Sequence, residues 1–444
     1  MSGMLFEGAE ACNGAEGKAK PDVGDAPVRL ERADRAQIVL HPSDLESLLS
    51  QDHQARAVWA FVTGLDLTTF HDRIRSRQGS AGRPAIDPAI LLSLWLYAVV
   101  DGVGSARAIS RLCEQHDAYR WICGGVSVHH DTLSAFRSER PEEIDALLTQ
   151  IVASLMAEDL VRLERVAQDG MKVRASAGAA SFRRKPKLEE CLEEAKERVE
   201  TLRREIADDP TATERRKKKR ALEQAKRREE RVEKALAAHE RHAAKKSPKE
   251  REKVRASTTD DEARVMKMGD GGFRPAFNCQ YATDTESQIV VGVDVVQAGN
   301  DAGLMPPMIK QIEERTGSVP AEYLVDGGYN QHESIEAAAS KGTVVYAPPP
   351  KPRGGSTRDP SQPRPDDSEA VGAWRQRMAS EEGKAIYKDR AATAECVNAI
   401  ARNRGLQQLR VRGERKVKTV LILYAIAHNL IRALTLHSTP RPAT

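Results

Sequence analysis

A strongly basic stretch in the middle of the chain limits the possible folds more than any other sequence feature. Residues 183–255 carry 26 Lys and Arg against 17 Asp and Glu, although the whole chain of 444 residues has a net charge of only +4. Apolar residues recur there at steps of three and four on both sides of a break at residues 208–211. This pattern predicts two antiparallel helices in a coiled-coil hairpin. Because the apolar seam is too thin for an independent core, we expect the hairpin to be an insertion that projects from another domain.

The charge of this hairpin indicates a polyanionic partner. Outside it the chain is mildly acidic, so the positive charge is concentrated in the insertion. Residues 215–220 are all Lys or Arg, and we expect Arg216, Lys217 and Lys218 to contact DNA. The alternative is a solvated helical face without a partner.

Composition and patterning exclude several other classes of protein. The longest apolar stretch, residues 89–100, is about a dozen residues long, whereas a helix that spans a bilayer needs about 20. The first residues lack a basic region followed by an apolar run, so secretion is not expected. The six cysteines lie far apart without a Cys-x-x-Cys pair, which excludes zinc knuckles and disulfide scaffolds. We therefore expect a cytoplasmic protein without a membrane partner.

The spacing of apolar residues divides the chain into segments. Helical spacing dominates up to about residue 159. A helix at residues 106–115, after a turn at 102–105, and a further helix that begins near residue 130 resemble a helix-turn-helix, and Arg137 on the later helix is expected to contact DNA. An ordinary helical bundle is the alternative. Strands alternate with helices after residue 164, which indicates a mixed α/β sheet and an α+β chain. The predicted segments are a disordered tail (1–27), a helical DNA-binding domain (28–159), a mixed α/β domain in two pieces (160–182 and 257–435), the basic hairpin (183–256) and a second tail (436–444).

Three acidic residues stand out as candidates for a metal site. Asp169 and Asp326 each follow an apolar strand and precede a glycine, which lets the backbone turn and leaves the carboxylate unobstructed. An ordinary Asp-Gly turn is the alternative for each. Glu395 lies on a later helix; Arg402, seven residues on, faces the same side, whereas Arg390, five residues before, has a looser relation. Carboxylates without Cys or His partners suit Mg²⁺, and a pair of such ions suits displacement at phosphorus.

Other polar and aromatic residues near these segments are assigned structural roles. Asp284 is expected to cap a β-hairpin turn, and Asp301 to cap the helix that follows the hairpin. His130 or Asp131 is expected to be a helix N-cap. Trp374 is expected to pack in the core, although stacking on a DNA base is the alternative.

Several motifs in ordered succession resemble those of the DDE transposases of bacterial insertion sequences. Residues 168–175, Gln-Asp-Gly-Met-Lys-Val-Arg-Ala, resemble the first-acid motif, and residues 323–329, Tyr-Leu-Val-Asp-Gly-Gly-Tyr, resemble the second. Parts of the helical domain, including residues 82–84, 120–122 and 130–137, are similar to the N-terminal domain of the family. The third motif resembles a Tyr-Arg-Glu-Lys signature and consists of Tyr387, Arg390, Glu395 and Arg402, where the family usually has lysine at the last position.

The resemblance implies an RNase H-like catalytic domain that cleaves DNA at the ends of its element and transfers the freed strand to target DNA. It assigns Asp169, Asp326 and Glu395 as catalytic metal ligands, with two Mg²⁺ ions expected and Mn²⁺ as a substitute. It also implies DNA-binding residues in the motifs, namely Lys172, Arg174, Tyr387, Arg390 and Arg402.

The implied partners are the inverted-repeat ends of the element and target DNA, on which a homo-oligomer assembles. The expected location is the bacterial cytoplasm in association with the nucleoid. The alternative function is that of a catalytically inactive DNA-binding relative with a decayed nuclease core.

Overall fold

The computed structural model describes residues 44–77, 79, 83–208, 212–350 and 359–438. The predicted tail at residues 1–27 lies outside these ranges, as do the centre of the hairpin break and most of the predicted tail at residues 436–444. Residues 436–438 continue the last helix.

A short 3-10 helix (Glu46–Leu48) and seven α-helices precede the sheet in the described part of the chain. The third α-helix is buried on nearly all sides because it is apolar throughout, and the Asp87 side chain caps it by accepting a hydrogen bond from the Ala89 amide at 2.8 Å. A short helix that the sequence did not predict separates the two helices of the expected helix-turn-helix, and His129, one residue before the expected position, caps the later one. The helices are α1 (Gln54–Thr63), α2 (Thr68–Asp72), α3 (Pro88–Val100), α4 (Ala106–Gln115), α5 (Asp117–Cys123), α6 (His130–Glu139) and α7 (Pro141–Ala157).

The basic hairpin consists of two long helices that pack on each other. They are α8 (Lys185–Ala207) and α9 (Ala212–Ala244), preceded by β2 (Phe182–Arg183) and followed by α10 (Pro248–Arg251) and β3 (Ala256–Ser257), which pairs with β2. The hairpin buries two small apolar clusters that are separate from the main core. Its exposed faces carry ion pairs three or four residues apart, such as Lys234 with Glu230 at 2.7 Å.

A six-stranded mixed sheet forms the centre of the remaining chain. Its strands are β1 (Arg165–Arg174), β4 (Arg264–Lys267), β5 (Phe273–Asp284), β6 (Val290–Val296), β7 (Glu322–Leu324) and β8 (Val344–Tyr346). The order is β4-β5-β1-β7-β8, and β6 also pairs with β5. Pairs among β4, β5, β6 and β1 are antiparallel, whereas β1, β7 and β8 run parallel. The predicted mixed α/β class is confirmed, and the more specific RNase H-like assignment stays a prediction.

Helices cover the sheet and connect it to the N-terminal helices through one continuous apolar core. They are α11 (Met305–Thr316), α12 (His332–Ser340), α13 (Glu369–Ala379), α14 (Glu381–Tyr387), α15 (Cys396–Asn403) and α16 (Glu414–Ser438). Trp374 on α13 is fully buried, as predicted, and its Nε1 donates to the Ala347 carbonyl at 2.9 Å.

The last helix, α16, packs against α3, α7 and β6. Among the described residues it is the one helix that is long and apolar enough to cross a membrane by length and composition. Its most apolar 18-residue window is 67% buried inside the protein, as is usual for a core helix.

Candidate active site

Asp169 and Asp326 are neighbours because their strands are paired in parallel. The last aligned pair of β1 and β7 is Ala167 with Leu324, and each acid comes two residues later, Asp169 on β1 and Asp326 just after β7. Adjacent strands are about 4.8 Å apart, so the register sets the two residues side by side. Consistent with this proximity, the charge of Asp326 helps to raise the pKa of Asp169.

The carboxylate of Asp169 is largely enclosed, with 19% of its side chain exposed. Burial raises its pKa above the usual range, the Arg390 guanidinium opposes this shift, and Asp326 adds to it. Arg390 Nη1 lies 3.6 Å from Asp169 Oδ1, and Asn398 Nδ2 donates to Asp169 Oδ2 at 3.0 Å. Each oxygen of Asp169 therefore has its own polar neighbour.

Glu395 joins this group through a π-helical turn. Residues 391–395 form a π-helix, in which residues five apart lie on the same face. Arg390 and Glu395 are five apart, and Arg390 Nη2 contacts Glu395 Oε1 at 3.0 Å. The looser relation expected from ordinary helical spacing was therefore wrong for this pair. Arg390 lies between Asp169 and Glu395, whose side chain is 57% exposed.

The other residues of the third motif are Tyr387, which lies near Arg390, and Arg402. The Arg390 guanidinium lies 5.9 Å from the centre of the Tyr387 ring. Burial raises the pKa of Tyr387, Arg390 lowers it, and Asp326 and Asp169 raise it further, which locates the phenol near both acids. Arg402 is exposed in the last turn of α15.

The remaining predicted DNA-binding residues occupy different environments. Lys172 is partly buried on β1, and Arg174 is exposed at the end of that strand. On the hairpin, the side chains of Arg216 and Lys217 are exposed and that of Lys218 is partly buried.

Arg137 does not lie on a DNA-facing surface, contrary to the prediction. Its side chain is buried, its guanidinium lies 4.1 Å from the centre of the Trp95 ring, and Nη1 donates to the Gly104 carbonyl at 3.4 Å. Burial lowers its pKa to about 10. The helical face that carries Arg137 therefore packs into the core, where an arginine cannot reach a phosphate.

Asp301 is an acid that the sequence reasoning assigned to the wrong role. It was expected to cap the following helix, but α11 begins after Leu304 without a side-chain cap. Asp301 Oδ1 instead accepts hydrogen bonds from Asn278 Nδ2 at 2.7 Å and Gln280 Nε2 at 2.9 Å. Asp284, by contrast, has the predicted role, since its Oδ2 accepts from the Ser287 amide at 2.9 Å.

Two glycines bring Asp301 close to the motifs of the first two acids. A Cβ on Gly170 would lie 2.7 Å from Asp301 Oδ1, and a Cβ on Gly328 would lie 3.7 Å from Asp301 Oδ2 and 2.9 Å from Asp326 Oδ1. At Gly170 a Cβ would therefore collide with the Asp301 carboxylate, whereas at Gly328 the tight contact would be with Asp326 and Asp301 would lie at an ordinary contact distance. The buried amides on β5 were the missed signal, since Asn278 and Gln280 occupy core positions that usually carry apolar residues.

The donor set fits a hard divalent cation. Asp169, Asp326 and Glu395 offer only carboxylate oxygens, and two of them are adjacent while one is largely buried, an arrangement that a bound cation stabilises. The ligand atoms of these three acids do not all lie within 4.8 Å of one another, since Arg390 lies between Asp169 and Glu395. Among the described residues, the one group that meets this distance is His129, His130 and Asp131. That group is mostly exposed at the start of α6, where His129 serves as the N-cap.

Two segments of the chain match known protein families. Residues 43–139 match a transposase domain (DUF772), and residues 360–434 match a transposase DDE domain. The first match spans α1–α6, and the second runs from before α13 into α16 and includes Tyr387, Arg390 and Glu395. The chain has no significant match among curated proteins or solved structures.

These matches define the class of the protein. A transposase domain and a DDE domain occur in one chain, in the order that the sequence motifs predicted. The two matches therefore support an insertion-sequence transposase of the DDE type. DNA is the partner on which such proteins act, and the family generally uses divalent metal ions.

Proposed function

We propose that this transposase cleaves DNA at the ends of its own element and joins the freed 3′ end to target DNA, in a reaction that depends on Mg²⁺. The observation that carries the proposal is the side-by-side placement of Asp169 and Asp326, with Glu395 linked to Asp169 through Arg390. We therefore assign the three acids to one site next to Arg390, whose guanidinium contacts both Asp169 and Glu395.

Asp169, Asp326 and Glu395 would hold the divalent ions, with Mg²⁺ favoured because all donors are hard oxygens. When bound, such ions supply Lewis-acid activation of the attacking oxygen and neutralise charge on the scissile phosphate. We expect two ions, with Mn²⁺ as a substitute.

The chain's own cations prepare the DNA for this chemistry. Arg390 neutralises Asp169 and Glu395 in the free protein, and on ion binding its guanidinium becomes available for a DNA phosphate. Tyr387 orients Arg390 through its ring face. In the first step water attacks phosphorus and the 3′ oxygen leaves as a hydroxyl. In the second step that hydroxyl attacks a phosphate of target DNA, the P–O bond to the 3′ oxygen of the target strand breaks, and that oxygen leaves as a hydroxyl. Lys172, Arg174 and Arg402 would hold the strands on either side.

The other parts of the chain would supply affinity and assembly. The exposed basic run of α9 suits sequence-independent phosphate contacts, which give salt-sensitive binding. The helical domain at residues 28–159 would recognise the inverted-repeat ends. We expect a homo-oligomer on DNA and a location in the cytoplasm with the nucleoid.

The test uses the full-length protein with labelled DNA that carries the sequences flanking its gene. We expect nicks at the inverted repeats that leave 3′ hydroxyls, joined products when target DNA is added, and no reaction in EDTA. DNA with scrambled ends is the control. A covalent protein–DNA adduct that survives denaturation, or cleavage that persists in EDTA, would contradict the proposal.

A further inference from the structure

Asn398 on α15 contacts the first acid directly. It lies three residues after Glu395, so the two residues face the same side of the helix. The residue is 3% exposed, and its Nδ2 donates to Asp169 Oδ2 at 3.0 Å. This hydrogen bond favours the charged form of Asp169 against the effect of burial on its pKa. Asn398 therefore holds the candidate metal ligand from a fixed, buried position.

The other end of the same amide has no partner. Asn398 Oδ1 is buried and makes no hydrogen bond in the described residues. Leaving a buried acceptor unsatisfied costs about 1–3 kcal/mol. By covalent geometry this oxygen is adjacent to the nitrogen that contacts Asp169, so it borders the acid site. A bound ligand with a positive charge or a donor proton would satisfy it.

Asn429 on α16 shows how a structural asparagine behaves in the same core. It is fully buried, its Oδ1 accepts from the Val290 amide at 2.8 Å, and its Nδ2 donates to the Val290 carbonyl at 2.8 Å. Both ends of Asn429 are used to attach a helix to the sheet. Asn398 uses one end only, and that end is directed to the acid.

The two neighbours of Asp169 respond differently to an incoming cation. Arg390 is itself positively charged, so a divalent ion on Asp169 repels it. Asn398 is neutral and its donor bonds to the other carboxylate oxygen, so the ion does not displace it. Asn398 can therefore maintain the orientation of Asp169 before and after binding.

We propose that Asn398 is a positioning residue of the acid site, which fixes the Asp169 carboxylate through Nδ2 and offers its unpartnered Oδ1 to a bound divalent ion or to a water of that ion. The inference rests on the proposed function, because it assumes that Asp169 is a metal ligand. It assigns a role to a neutral residue outside the three acids. Metal ligands are commonly held by such neighbours, and removing one typically weakens binding about 10–100-fold.

The experiment measures Mn²⁺ binding to the full-length protein without DNA, from the electron paramagnetic resonance signal of free Mn²⁺. Asn398→Leu fills a similar volume without polar atoms, and Asn398→Ala is a second variant of the same position. Both are expected to weaken Mn²⁺ binding about 10–100-fold. The matched control, Asn429→Leu, is expected to lower the melting temperature in EDTA and to leave the Mn²⁺ dissociation constant within about twofold, since its amide only holds Val290.

The variants separate the failure of this inference from that of the proposed function. If Asp169→Asn loses Mn²⁺ binding but both Asn398 variants bind Mn²⁺ like the wild type, the role of Asn398 is overturned and the metal site stands. If the wild type does not bind Mn²⁺, or Asp169→Asn binds it unchanged, the metal site is overturned together with the inference. A loss of Mn²⁺ binding in the Asn398 variants with a melting temperature in EDTA close to that of the wild type supports positioning over a general structural role.

Discussion

The acid site and the basic hairpin both carry charges that indicate DNA chemistry, but they hold these charges in opposite ways. At the acid site, Asp169 is largely buried between Arg390 and Asn398 and lies beside a second carboxylate. On the hairpin, lysines and arginines stand on exposed helical faces and pair with glutamates one turn away. Charges of the first kind interact strongly and specifically, whereas those of the second kind are weakly coupled and screened by salt.

Because of this difference, single substitutions should act differently in the two regions. A change at the acid site alters one fixed geometry, so its effect on the reaction is large and independent of salt. A change on the hairpin removes one of many similar contacts, so its effect is small, additive and dependent on salt. The size of an effect and its response to salt therefore distinguish the two regions.

The largest effect is expected for Asp169→Asn. The substitution keeps the size of the side chain and its contact with Asn398 but removes the charge that holds a cation. Loss of several kcal/mol of metal-derived stabilisation corresponds to roughly three orders of magnitude in cleavage rate. Cleavage of labelled element ends in Mg²⁺ measures this loss, and a gel-shift titration should show DNA affinity within about threefold of the wild type. Robust cleavage by this variant would remove Asp169 from the site.

The next effect is expected for Asp301→Asn. The amide oxygen can still accept from Asn278 and Gln280, but the negative charge facing the Asp326 loop is lost. We expect Mn²⁺ affinity and cleavage to fall about 10–100-fold. The control is Asp284→Asn, which removes a buried charge at the β-hairpin turn between β5 and β6. It should change the melting temperature while Mn²⁺ affinity stays unchanged. Equal Mn²⁺ affinities for Asp301→Asn and the wild type would show that Asp301 has only a structural role.

Much of the fold could be predicted from the sequence because local patterns decide it. The Asp-Pro start of α3, the two hairpin helices and the strand before Asp326 follow from capping, periodicity and turn residues, and the structure has them. The strand predicted to end at Asp169 instead continues to Arg174, because its pairing with β5 extends past the Asp-Gly pair. The mixed α/β class follows from the order of these elements. Such features depend on residues that are close in sequence, which a single chain displays directly.

The missed features of the site depend on contacts between distant segments. Asp301 looks like a helix cap in sequence, and only the packing of β5 beside β1 shows that its partners are Asn278 and Gln280. Arg137 was expected to contact DNA, and only the packing of α6 against α3 shows that Trp95 covers it. The π-helical turn before Glu395 changes which residues share a face, and the spacing rules of an ordinary helix cannot anticipate it. The assignments of the three acids remain predictions that the cleavage and Mn²⁺-binding experiments test.

A smaller and salt-dependent effect is expected on the hairpin. Arg216→Gln combined with Lys217→Gln should weaken DNA binding about tenfold at low salt. It should also lower the slope of log affinity against log salt by about 0.9 for each phosphate that the protein no longer neutralises. Lys234→Gln, an exposed lysine nearer the end of α9 that pairs with Glu230, is the control and should have little effect on the slope. A decrease in affinity that does not change with salt would show that these residues act by a fixed geometry, like those of the acid site.

The smallest effect is expected just after the hairpin. There Asp260 accepts hydrogen bonds from the Gly413 amide at 3.3 Å, just before α16. Burial raises the pKa of Asp260 to about 6, although the Gly413 amide opposes the shift. The folded state therefore holds this proton more tightly than the unfolded state, whose pKa is near the usual 3.8. The contribution of Asp260 to stability is greatest below pH 4, falls as the pH rises from about 4 to about 6, and stays low above that range.

Asp260→Asn keeps the acceptor without the charge. Thermal unfolding should therefore show a variant that is more stable than the wild type by about 2–4 °C at pH 7.5 and equal to it at pH 4. A stability difference that is constant across this pH range would show that burial does not hold Asp260 protonated. Its charge would then be solvated like those on the exposed hairpin.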